Sequence, residues 1–110
     1  MKGENLGEFE ELLMLLVFAL KDEAYAVKIL EELENKAGRK VAIGAIHTAL
    51  YRLEDKGLLK SMTGGATPER GGRWKRFFTV TAFGKKALEK SQEVRINLWN
   101  QIPELSLSKQ

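Results

Sequence analysis

The sequence predicts a mainly α fold carrying one small β-hairpin. Three observations point there: four stretches with apolar residues at helical spacing, one break in which strand-like flanks surround a glycine-rich centre, and a length of 110 residues, about one domain. A chain of that size buries roughly two-thirds of its unfolded surface, enough for a real core. With 44% apolar and 30% charged residues, disorder is expected only at the ends.

The first helix is expected over Glu8–Leu20. Phe9, Leu12, Leu13, Leu16, Val17 and Leu20 form its stripe, while Met14, Leu15, Phe18 and Ala19 fill the other faces. A helix apolar all round has to be covered on more than one side. Few elements remain to do so, and a second copy of the chain is the expected cover. The second helix is expected from about Ala24 to Ala37, with Asp22 as N-cap, Gly38 as terminator and a stripe of Ala26, Ile29, Leu30, Leu33 and Ala37.

After the basic turn Gly38, Arg39 and Lys40, the segment Val41–Ile43 has the composition of a short strand. A third helix follows from about Gly44 to Lys56, with Ile46, Ala49, Leu50 and Leu53 inward and Gly57 closing it. Its other face presents His47, Thr48, Tyr51, Arg52, Asp55 and Lys56. The hairpin then runs through Leu58–Thr63 and Trp74–Thr81 around a tip with four glycines and a proline. Thr81 is placed to cap the last helix, whose apolar face holds Ala87, Leu88, Val94, Leu98, Trp99 and Ile102 before Pro103 stops it. At 1.5 Å per residue, its twenty or so residues reach about 30 Å, and the far half should overhang the domain. Residues 104–110 read as a frayed tail.

Composition removes several functions. There is no cysteine and one histidine, so disulfides and thiolate zinc sites are excluded and no metal or cofactor is implied. Ser61 and Ser91 have no neighbouring His or carboxylate suggesting a triad, and an enzyme is not expected. The apolar run Leu12–Leu20 is under half a membrane span and follows acidic residues, unlike an export signal. A cytoplasmic protein with no membrane partner is the expectation.

Charge is more informative than its net value of +3. Residues 1–38 hold 4 Lys/Arg against 9 Asp/Glu, net −5, whereas residues 39–110 hold 14 against 6, net +8. Such a split suggests one face that seeks an anionic partner and one that does not. Three helices, a basic hairpin and a further helix follow the order of a winged helix-turn-helix, in which the third helix enters the major groove and the hairpin lies on the backbone or minor groove. On that reading residues 1–81 form a DNA-binding unit, and residues 82–103 a dimerisation helix within the same compact domain. The expected DNA contacts are Arg39, Lys40, His47, Thr48, Tyr51, Arg52, Arg70, Arg73, Lys75 and Arg76. Phe9, Leu13, Leu16, Val94, Leu98, Trp99 and Ile102 are the expected dimer contacts. Winged helices also serve as protein-docking modules without nucleic acid, and the basic hairpin is what separates the two readings.

Five stretches carry a resemblance over Leu6 to Leu98: LGEFEELL at 6–13, EAYAV at 23–27, IGAIHTALYRLEDKGLL at 43–59, TPERGGR at 67–73 and FFTVTAFG at 77–84. In that order they resemble the PadR family of bacterial transcriptional regulators. The resemblance implies a homodimeric repressor on a palindromic double-stranded DNA operator, with a C-terminal helix supporting dimerisation. It also implies, for some members, relief by a small aromatic effector. His47 departs from the pattern, standing where the family usually carries a tyrosine that meets the DNA backbone, with Tyr51 nearby to share that role. The single C-terminal helix looks like the small subgroup, so an effector would bind at the dimer interface, against Met14, Phe18 and Trp99.

Overall fold

The computed structural model describes residues 6–64 and 75–104. In chain order these form α1 (Glu8–Leu20), a 3-10 turn (Lys21–Glu23), α2 (Ala26–Ala37), α3 (Ile43–Asp55), β1 (Leu59–Gly64), β2 (Lys75–Val80) and α4 (Ala82–Asn100). The order is that expected, a mainly helical fold with one antiparallel hairpin. β1 and β2 pair from Leu59 opposite Val80 to Gly64 opposite Lys75. The hairpin tip, with Arg70 and Arg73, lies outside the described residues.

The core is built from one stripe of each helix. Leu13, Met14 and Val17 of α1 meet Ile29 and Leu33 of α2, Ile46, Leu50 and Leu53 of α3, and Leu58, Leu59 and Phe78 around the hairpin. Each of these is at most 2% exposed, so a single truncation to alanine among them would cost about 2–5 kcal/mol. α1 is thus covered on one side by its own chain. Its other side is not: Leu15 is 40% and Phe18 45% exposed.

Three local expectations are corrected. Asp22 does not cap α2. It lies in the 3-10 turn, and the helix starts after Tyr25, which sits at the N-cap without a side-chain bond. Ala37 is exposed and adds nothing to the core. Val41–Ile43 is not a strand, because Ala42 is already the N-cap of α3 and Ile43 its first residue. The Phe78 N–H donates to the Ala24 carbonyl at 2.9 Å, so the loop before α2 lines the free side of β2.

Two glycines are required by the backbone. Gly38 ends α2 at φ 64°, its N–H donating to the Glu34 carbonyl while Arg39 N–H donates to Leu33. Gly84 lies where the first turn of α4 passes over Leu58, just before β1, and a Cβ there would stand 2.1 Å from the Leu58 carbonyl oxygen. Thr81 caps α4 as expected, accepting the Gly84 N–H at 2.9 Å and donating to the Gly57 carbonyl at 2.7 Å. From that anchor α4 leaves the core quickly. Gly84, Ala87 and Leu88 are buried, but every residue from Glu93 to Asn100 is exposed.

The acidic start of α1 is an ionic hub. Glu8 receives both terminal nitrogens of Arg39 at 3.0 Å. Glu10 receives Lys56 Nζ, at the end of α3, at 2.9 Å, and its other oxygen accepts the Gly7 N–H. Glu11, 6% exposed, accepts the Ser91 hydroxyl and lies 3.0 Å from Arg95 Nε, both on α4. Three carboxylates in one helical turn therefore hold bases from three different parts of the chain.

Candidate nucleic-acid interface

The outward face of α3 carries the polar side chains expected of a reading helix. His47, Thr48, Tyr51 and Arg52 are exposed, as are Gly44 and Ala45 in the first turn. No acidic residue and no side-chain cap occupies the start of α3 or of α2. Both helices thus present unsatisfied backbone N–H groups and the positive end of the dipole, the arrangement that accepts phosphate.

The hairpin joins this face through aromatic and ionic contacts. The Tyr51 ring stacks on His47 at 5.8 Å between centroids and leans on Phe78 at 6.4 Å. Over its exposed side lies the Arg76 guanidinium, 5.3 Å from the ring centre. Arg76 Nε donates to Ser61 Oγ at 2.9 Å, Ser61 donates to Glu54 at 2.6 Å, and a terminal nitrogen of Arg76 is 3.7 Å from Glu54. Lys75 goes the other way, its Nζ 4.3 Å from the ring centre of Tyr25, which meets Phe77 edge-on at 5.6 Å. Between the two arms a cleft of about 150 Å³ is lined by Tyr25, Val27, His47, Tyr51, Lys75 and Arg76.

The structure therefore gathers His47, Tyr51, Lys75 and Arg76 around one cleft, with Thr48, Arg52 and Lys40 exposed. Arg39 has a partner within the chain. Its guanidinium is bonded to both oxygens of the exposed Glu8 and lies over the Phe9 ring at 5.6 Å. The hydrogen bond and the charge of Arg39 hold the Glu8 carboxyl below its ordinary range, and Arg39 is raised in turn. For Glu10, burial pulls the pKa upward, but Lys56 and the Gly7 N–H outweigh it and leave the carboxyl lowered.

Of the expected dimer contacts, Val94, Leu98, Trp99 and Ile102 are 42–58% exposed. Phe9 and Leu16 are half-buried against the protomer's own core. Leu13 and Met14 are both 0% exposed in the single chain, enclosed in its own core. Tyr25, Glu54 and Ser61 were not among the expected site residues. For Ser61 a signal existed, since it stands opposite Phe78 in the hairpin and so shares the inward face.

A polar-faced third helix packed in a three-helix core beside a two-stranded wing defines a winged helix-turn-helix, a class whose members commonly bind DNA. The sequence profile of the transcriptional regulator PadR-like family matches residues 13–90, and the chain belongs to that family. Its fold is similar to that of a PadR-like transcription factor from Bacteroides fragilis, at 25% identity and TM-score 0.72, over 88% of each chain. It is also similar to a PadR family transcription regulator from Clostridium difficile, at 28% identity and TM-score 0.66, over 84% of this chain and 96% of that one. A putative transcriptional regulator from Thermoplasma acidophilum shares the fold at 18% identity and TM-score 0.67, over 91% of both. No curated protein matches the sequence. Among the described residues no helix is long and apolar enough to cross a membrane.

Proposed function

We propose that the chain is a homodimeric repressor that reads a palindromic DNA operator, residues 1–81 forming the DNA-binding unit and α4, within 82–103, the dimer contact. The observation that carries this reading is the convergence on one cleft of the polar face of α3, the uncapped start of α2 and Lys75 of the wing. Thr48 and Arg52 are assigned to base edges, Lys40 and Lys75 to phosphate, His47 and Tyr51 to the backbone beside them, and Arg70 and Arg73 to the path of the wing tip. Family membership supports DNA binding in general. Dimer formation is supported by the apolar side chains that one chain leaves uncovered, Leu15 and Phe18 on α1 and Val94, Leu98 and Trp99 on α4.

Relief by a flat aromatic effector fits this frame only between protomers, with Phe18 and Trp99 as its walls, since Met14 is enclosed. Selection of bound sequences from a random DNA pool tests the central reading. It should return two half-sites related by a dyad, with centres about 10 base pairs apart or a multiple of that. Recovery of no duplex at low salt would overturn it in favour of a docking module.

A further inference from the structure

As a base on the wing, Arg76 is an expected DNA contact. Its position in the hairpin argues otherwise. Residues two apart on a strand share a face, and Arg76 shares that of Phe78, the one buried residue of β2. Ser61 stands opposite Phe78 and Thr63 opposite Arg76, so Ser61 and Arg76 lie diagonally on the face turned toward α3. The next base, Lys75, alternates to the other face and reaches Tyr25.

The guanidinium is half-exposed, yet it already has three partners. Its Nε is bonded to Ser61, one terminal nitrogen lies 3.7 Å from Glu54 and its central carbon lies 5.3 Å from the Tyr51 ring centre. Ser61 completes the link with no proton missing, donating its hydroxyl hydrogen to Glu54 while accepting from Arg76. Glu54, Tyr51 and His47 follow one another along α3 at helical spacing, so a single side chain of the wing meets two successive turns of the reading helix. Turning Arg76 out to a phosphate would break the Ser61 bond and leave Glu54 facing the DNA without its base.

We propose that Arg76 is a positioning residue: through Ser61, Glu54 and Tyr51 it sets the wing's angle to α3 and orients the Tyr51–His47 pair, and it does not neutralise a phosphate. The proposal rests on the DNA-binding reading above, and its test has one arm that needs no DNA. Affinity for the selected operator is measured against salt for Arg76→Ala, Arg76→Lys and Ser61→Ala, with Lys75→Ala as reference. Each of the first three should weaken binding about tenfold with the salt slope unchanged, the charge-preserving Lys as much as Ala. Lys75→Ala should lower the slope by about one. In the free protein, NMR resonances of the His47 ring should move in all three variants, although His47 is one ring beyond the guanidinium. Rescue by Lys together with a slope reduced by about one in Arg76→Ala, or an unmoved His47 in Ser61→Ala, overturns the proposal. If the wild type binds no duplex, the DNA reading fails, and the His47 arm still decides whether the strut exists.

Discussion

Glu11 and Arg95 form an ion pair of unequal burial, the carboxylate side chain 7% exposed and the guanidinium 56%. The two ends therefore differ in what their removal leaves behind. Arg95→Met strands a charged Glu11 with only Ser91 for company, whereas Glu11→Gln keeps an acceptor for Ser91 and lets Arg95 turn to water. The first should cost about 1–3 kcal/mol and the second less than about 1. Urea unfolding of both, and of the double variant, measures this; the double variant should be more stable than Arg95→Met alone.

Gly84→Ala should be more damaging than any exposed-helix propensity would suggest. Helix preference favours alanine by about 1 kcal/mol, yet the added methyl would meet the Leu58 carbonyl at 2.1 Å and Val80 Cγ1 at 3.0 Å. Backbone cannot step aside as a side chain can, so a loss of at least about 3 kcal/mol is expected. A thermal melt no lower than wild type would show that the crossing of α4 is looser than described.

Acid should loosen the start of α1. Glu8 and Glu10 both titrate below their ordinary 4.5 in the folded chain. The unfolded chain therefore takes up these protons first, and the stabilisation, present in full above about pH 5, is lost as pH falls through the lowered folded values. Melting temperature should drop between about pH 5 and pH 3, and Glu10→Gln should flatten part of that drop. An identical profile in the variant would remove the Lys56 pair from the account.

Arg39 and Lys40 are adjacent bases with opposite expected phenotypes. Lys40→Ala should lower the salt slope of operator binding by about one without changing the melt. Arg39→Ala should leave the slope alone and lower the melting temperature, because its charge serves Glu8. Reversal of the two results would place Arg39 on the DNA.

Leu98→Asp places a charge on the uncovered face of α4. If the proposed dimer forms through α4, sedimentation should show the variant as a monomer where the wild type sediments as two copies, with folding intact because Leu98 is 58% exposed in one chain. An unchanged dimer would move the interface off α4.

Most of the fold was legible in the sequence, because helical stripes, Gly38 and the Thr81 cap act locally. α1 is found at Glu8–Leu20 as expected. The failures are tertiary. Val41–Ile43 has strand composition, but Ala24 supplies the bond to β2 and α3 begins one residue earlier than expected. Met14 could not be told from Leu15 and Phe18 by periodicity, since all three are apolar and lie off the stripe, and only the packing of the rest of the chain separates them. The charge split is only partly a matter of two outer faces, because Arg39, Lys56 and Arg95 each pair with a carboxylate of α1.

That hub has a consequence for how the molecule responds to its medium. Dissolved salt weakens attraction between groups that water can reach, over a distance of about 8 Å at physiological strength, and touches enclosed pairs much less. The Glu10–Lys56 pair at its centre is 13% and 28% exposed at the two side chains, whereas Lys40 and Arg52 stand in the open. A rise in ionic strength can therefore release the protein from a polyanion while the scaffold that aims its reading helix keeps its shape, ready to rebind when the salt falls.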